Sequence, residues 1–415
     1  MSVVPPTAVQ RRYFILHGNI FSQRDWDRFG CDCFVERGYE VIPVELLELL
    51  RPGTTDKMMS AQFTSLHNVE KITNLSKLDA LTSSFRQGDL VLCAVALDDR
   101  TAPVFRALSR YKVPYMSLSV GRIPTHYFRH YKSALSLREY VHYKKQNVLA
   151  LAYRFKRYCL TMFGGGVAWA FMRSPRWWVR AGSHYNEFSL VAPKISQAEI
   201  ISVRSFDAQG VDALQSGRHD AEECSRPYAV IVDDGFFDHP DFTYLGTECP
   251  LSQENFSRSI HLLINRVKTD IGLDVIVAGH PKSSEQTAAH IYGNNLFVQN
   301  KTADLVANSA LVIACCSTAI SFAVRLRKPV IFITTDELEK SSIFRGFVSC
   351  MSSWLGEKRV NIDHLTDVDI MELPTINENY YRDYEVAFLA EAGAGDETIW
   401  ERVALQFENY TQLSS

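Results

Sequence analysis

Residues 274–335 read DVIVAGHPKSSEQTAAHIYGNNLFVQNKTADLVANSALVIACCSTAISFAVRLRKPVIFITT. Three short apolar runs stand in this stretch, DVIVAGHP, SALVIACCS and KPVIFITT. Each is too short for a typical helix and is bounded by Gly, Pro or Ser, and segments of helical period lie between them. That alternation is the rhythm of a parallel sheet buried on both faces. Polar residues collect where the strands should end: Gly279-His280-Pro281, Ser317-Thr318 and Thr334-Thr335-Asp336. Open α/β sheets bind ligands outside the carboxyl ends of their strands, so a site is expected here.

Working outward, residues 227–235 (PYAVIVDDG) read as a buried strand running into two carboxylates and a glycine. A helix is expected over 252–269, with Phe256, Ile260, Leu263, Ile264 and Val267 on one face. Nearer the amino end, 12–16, 39–44, 89–97 and 113–120 read as strands. Helical segments are expected at 22–37, with Ser22 as cap and Gly38 as stop, and at 101–111. The pattern predicts an α/β protein with two Rossmann-like domains. Residues 1–204 form the first, with a helical insertion at about 125–195. Residues 205–226 are a linker or mobile loop, 227–345 the second domain, and 346–415 a helical cap with a crossing back to the first domain as one option.

A length of 415 residues with 46% hydrophobic and 22% charged side chains suits two or three ordinary globular domains. The net charge of −3 offers no global reason to expect nucleic acid. Nine cysteines form no metal-ligand spacing and read as reduced thiols of a cytosolic protein. The first residues lack the apolar core of a signal peptide, and no run approaches the ~20 apolar residues of a bilayer span. A cytoplasmic location is expected.

Residues 144–180 hold eight Lys or Arg, no Asp or Glu, and interleaved aromatics that include Trp177 and Trp178. One reading is contact with an anionic glycan, lipid or membrane surface, such as the inner face of the inner membrane. The other is a helical insertion with packed aromatics and solvated cations. Both stay open at this level.

Three signals carry chemistry. Asp233-Asp234-Gly235 ends a strand, and successive strand residues face opposite sides, so one carboxylate is expected to react and the other to be structural. His280-Pro281-Lys282 places an imidazole at a strand exit, held extended by the proline, beside a cation suited to phosphate or carboxylate. His239-Pro240 is a weaker copy in a polar context. Ser317-Thr318 opens the next helical segment, where unsatisfied N–H groups favour phosphate; a plain N-cap role for Ser317 is equally open. His17 and Asn19, after the first strand, and Arg122, after the fourth, are candidates for the acceptor side. Asp98-Asp99 is better explained by Asp99 capping the helix near Thr101 than by metal binding.

In order and placement, Asp233-Asp234-Gly235, His280-Pro281 and Ser317-Thr318 resemble the D/E-D/E-G, HP and Ser-Ser/Thr motifs of bacterial glycosyltransferases that use CMP-activated acidic sugars. The resemblance covers about residues 228–340. It implies a GT-B architecture, two Rossmann-like domains facing across a cleft, with no cofactor and no metal. The retaining β-Kdo (3-deoxy-manno-octulosonic acid) transferases of lipopolysaccharide and capsule assembly are favoured. There an aspartate, here with a lean to Asp233, attacks the anomeric carbon of CMP-Kdo, and a glycan or lipid-linked glycan hydroxyl then displaces it. His280 would assist the departing phosphate, and Gly235, Pro281, Lys282, Ser317 and Thr318 would help to bind the donor. The first rival is an inverting sialyl- or polysialyltransferase with the aspartate as general base. Others are a UDP-sugar 2-epimerase-like enzyme, disfavoured because Phe322 stands where a ribose-binding Glu would be, and a non-catalytic binding module.

Overall fold

Continuous apolar runs can sit in a sheet only when both of its faces are covered, and that is how these strands lie. The computed structural model describes residues 10–54, 66, 68–98, 100–121, 124, 141, 172–184, 195–216, 226–239, 242, 247–365 and 372–413. The first sheet has seven strands: β1 (Arg12–His17), β2 (Glu40–Glu45), β3 (Glu70–Lys71), β4 (Leu90–Cys93), β5 (Met116–Ser119), β6 (Trp177–Ala181) and β7 (Glu199–Val203). Their spatial order is β3-β2-β1-β4-β5-β6-β7. The second sheet has six: β8 (Tyr228–Val232), β9 (Asp274–Gly279), β10 (Leu296–Gln299), β11 (Leu311–Ala314), β12 (Val330–Thr334) and β13 (Arg359–Asn361). Their order is β10-β9-β8-β11-β12-β13. All pairings are parallel. This is an α/β fold of two doubly wound halves, GT-B-like as expected.

β8 and β12 bury all their residues, and four of the six in β1 are buried. Burying one such aliphatic side chain contributes about 1.5–3 kcal/mol, so these strands anchor each half. The helix Gln253–Arg266 buries Phe256, Ile260, Leu263 and Ile264, the expected face, and Ser252 caps it by accepting the N–H of Asn255.

Four expectations are corrected. The segment 22–37 is two short helices, Gln23–Arg28 and Cys31–Glu36, separated at Gly30. Gly30 has φ +64°, and a Cβ there would stand 2.1 Å from the ring of Trp400. The end of the supposed helical insertion is strand β6, with Trp177 and Trp178 buried and Arg180 paired with Glu391 at 2.7 Å. The rest of the basic, aromatic stretch falls almost wholly outside the described residues. Within 205–226, Phe206–Ser216 is an α-helix and not a loop, while 217–225 lie outside the described residues. Within 346–415, Arg359–Asn361 is a strand at the edge of the second sheet.

The helix Ile399–Leu413 packs on the first half. Trp400 meets Phe29 and Phe34, and its indole N–H donates to the Arg28 carbonyl at 2.9 Å. The returning chain is hydrogen-bonded to the outgoing one: Ser183 N–H to Val386 O, His184 N–H to Ala387 O and Ser205 N–H to Leu389 O.

Candidate functional site

In both sheets the strand order reverses once, between β1 and β4 in the first and between β8 and β11 in the second. Ligands of open α/β sheets bind in the crevice outside the carboxyl ends of the strands at such a point. His17 ends β1 and Asn19 follows it, and Asp234 and Cys316 face each other beyond β8 and β11.

Asp233 and Asp234 divide their roles as alternation requires. Asp233 is buried and points into the β9 side. Its Oδ1 accepts from the Gly235 N–H and the Tyr292 hydroxyl, each at 3.0 Å. Its Oδ2 accepts from the His280 N–H at 3.1 Å and the Ser283 hydroxyl at 2.5 Å. Four donors fix this carboxylate as the post of the His280 loop. Asp234 is half-buried and turns to the β11 side, where Oδ1 accepts the Cys316 N–H at 3.1 Å. Burial, with the Asp233 charge adding to it, pushes its carboxyl up to about 7. The sequence leans to Asp233 as the reacting carboxylate; in the structure Asp233 is the one tied down by four donors, and Asp234 the one whose carboxyl burial raises.

Gly235 is required by space as well as by backbone. Its φ is +66°, and a Cβ would stand 2.7 Å from His280 Nδ1. The His280 ring thus lies directly on the Asp-Asp-Gly turn. Burial and the neighbouring His239 push its imidazole down to about 4, so it is neutral near pH 7. The Lys282 N–H donates to Nδ1 at 3.2 Å, which places the ring proton on Nε2. The His280 carbonyl accepts from Gln299 Nε2 at 2.7 Å, closing the loop. Pro281 and Lys282 are half-buried beside it.

Sequence reasoning placed His239 below His280, yet their rings lie 5.2 Å apart. The signal was the repeated His-Pro pair; what hid it was the lack of a preceding strand. Arg24, in the helix after β1, was not singled out either. Its charge is the smallest of the causes that lower the His280 imidazole.

Ser317 and Thr318 are half-buried in a turn after β11. Ser317 Oγ accepts the Ala319 N–H at 3.2 Å, and the helix itself is Ile320–Arg325, capped by Ala319. A six-residue helix that starts after Thr318 supplies little dipole, so any phosphate contact here comes from the turn and its hydroxyls. Asp98 Oδ1 accepts from the Arg100 and Thr101 N–H groups just ahead of the helix Ala102–Arg110. Asp99 and Arg122 lie outside the described residues.

His17 sits against Phe21 and Phe29, at ring distances of 5.7 and 5.6 Å, and burial lowers its pKa. Asn19 Oδ1 accepts the Ile20 N–H at 2.9 Å. Among the described residues, one group has metal-ligand geometry: Asp234, Cys315 and Cys316, with ligating atoms within 4.8 Å of one another. A separate recess of about 1060 Å³ opens between Arg86, Lys112, Arg173 and Arg176. These residues precede β4, β5 and β6, so it lies at the amino edge, opposite the strand-end residues. No helix among the described residues is long and apolar enough to cross a membrane.

No family model matches the chain, and no curated protein matches it. Several solved structures are similar to it at low identity. S. aureus MnaA with UDP is 12% identical, with 98% of each chain covered and a TM-score of 0.45. Acinetobacter baumannii MurG is 7% identical, covering 86% of this chain and 87% of that one, with a TM-score of 0.42. The spinosyn rhamnosyltransferase SpnG, complexed with thymidine diphosphate, is 11% identical over 97% and 96%, also with a TM-score of 0.42. No residue role passes from them to this chain.

Proposed function

We propose that the chain is a sugar-nucleotide-dependent glycosyltransferase, that its donor is a CMP-activated 2-keto sugar acid such as CMP-Kdo, and that Asp234 is its general base. The observation that carries this is the placement of Asp234, half-buried beyond β8 at the switch point of the second sheet with Oδ1 held by the Cys316 N–H, where burial pushes its carboxyl up to about 7. A base works best with a pKa near the operating pH. A nucleophile held half-protonated would lose part of its reactivity, so single displacement is favoured over a covalent aspartyl sugar.

Asp234 takes the proton of an acceptor hydroxyl. The acceptor oxygen bonds to the anomeric carbon as the anomeric carbon–phosphate oxygen bond breaks, and that electron pair leaves with CMP. His280, neutral and with its proton on Nε2, donates a hydrogen bond to the departing phosphate. Lys282 and Arg24 supply positive charge around it, and His239 stands by the same ring. The Ser317 and Thr318 hydroxyls contact the nucleotide phosphate, with Gly235 and Pro281 shaping the floor. The acceptor, a glycan or lipid-linked glycan, enters from the His17 and Asn19 side. The CMP preference rests on the motif resemblance and on Phe322 in place of a ribose-binding Glu.

The test is a donor screen with CMP-Kdo, CMP-sialic acid and UDP-GlcNAc against a sugar acceptor, followed by the anomeric configuration of the product. Release of CMP with inversion is expected. Turnover of UDP-GlcNAc alone would overturn the donor assignment, and an aspartyl–sugar adduct in the intact mass would restore double displacement.

A further inference from the structure

Adjacent cysteines stand at the centre of this site, and the transfer chemistry uses neither thiol. Cys315 and Cys316 follow β11, the first buried and the second half-buried. The Cys316 N–H already ties this turn to Asp234. One ligating atom from each of Asp234, Cys315 and Cys316 lies within 4.8 Å of the others. We propose that these three residues form a capture site for a thiophilic divalent cation of the zinc and cadmium class, and that filling it halts turnover by occupying the Asp234 carboxylate.

The geometry is close to what such an ion needs. With bonds of about 2.3 Å to sulfur and 2.0–2.2 Å to oxygen, tetrahedral ligand atoms sit roughly 3.5–3.8 Å apart. The trio therefore needs to close by about 1.3 Å at most. Asp234 and Cys316 are both half-buried, and a water would complete a four-coordinate set. Two sulfur ligands disfavour magnesium and calcium, which take oxygen. The chemistry balances without an oxidant: two S–H bonds break, two metal–sulfur bonds and one metal–oxygen bond to Asp234 form as the ion sheds waters, and two protons, with a third where Asp234 holds one, pass to solvent. Cys31 and Cys33 offer no rival site among the described residues. They lie two apart on one short helix, where side chains do not share a face, and no third ligand joins them.

Capture is read without substrate, so its failure is separate from failure of the glycosyl-transfer reading, on which only the inhibitory half rests. The full chain is titrated with Cd²⁺ while the ultraviolet sulfur-to-cadmium absorption is followed. One ion per chain is expected, with affinity reduced at least about tenfold in Cys315→Ser and in Cys316→Ser. Asp234→Asn should weaken binding, Cys31→Ser/Cys33→Ser should not, and excess Mg²⁺ should not compete. In the unmodified chain, Cd²⁺ should protect Cys316 from alkylation, mapped by peptide mass, which needs no variant to fold. Wild-type affinity in both serine variants, or no protection of Cys316, overturns the site. Full turnover at saturating Cd²⁺ overturns the inhibitory half.

Discussion

Replacing Asp234 by Asn should make the protein more stable and inactive at once. In the folded chain burial pushes this carboxyl up from an ordinary 3.8 to about 7. Between about pH 4 and pH 7 the folded state therefore holds a proton that the unfolded state has lost, and stability falls as pH rises through that window. A displacement of about three pH units at about 1.4 kcal/mol each sets a ceiling of about 4 kcal/mol for the cost at pH 8. Asn removes that cost, and its amide oxygen can still accept the Cys316 N–H that now reaches Oδ1. The assay is thermal unfolding of wild type and variant at pH 8, 6 and 4. The melting temperature of Asp234→Asn should exceed wild type at pH 8 by several degrees, with the gap shrinking toward pH 4. Asp233→Asn is the contrast. It sets an amide NH₂ against two of the four donors around that carboxylate, and should cost about 3 kcal/mol or more. A variant at Asp234 that melts below wild type at pH 8, or a gap independent of pH, would refute the reasoning.

The rate of transfer should rise with pH through about 7 as Asp234 loses its proton, and His280, at about 4, should add no limb above pH 5; a pH–rate profile flat between 6 and 8 would contradict this. Gly235→Ala puts a Cβ against the His280 ring at positive φ, which should cost about 1–3 kcal/mol and displace the imidazole. Denaturant unfolding and kcat would both register it. Trp400→Ala removes a nearly buried indole and its bond to Arg28 O, and should destabilise by about 3–5 kcal/mol, read as a lowered melting temperature.

Eight of the thirteen strands were legible as continuous apolar runs, which leave a local signature; β3, β6, β7, β10 and β13 were not, and β10 stands where a helical segment was expected. What escaped depends on partners distant in the chain. Within 22–37 only Gly30 itself marks the break between the two helices, and the ring that excludes a Cβ there belongs to Trp400, far on in the chain. Strand β6 reads as a basic, aromatic helix until Glu391 and Glu199 are seen to pair with Arg180 and Arg176. The choice between Asp233 and Asp234 is likewise made by Tyr292 and Ser283, residues that look ordinary in the sequence. The alternation rule puts the two carboxylates on opposite sides; only the packing shows which of them the His280 loop holds.

The helix Ile399–Leu413 lies on the first sheet although about two hundred residues separate it from β7. On the ribosome, at about 5–20 residues per second, that interval is ten seconds or more. For that time Phe29, Phe34 and Tyr39 wait without the helix that will cover them. The second sheet can close within the same interval. The half synthesised first is thus the half completed last, and its exposed aromatic face is where a chaperone would be needed.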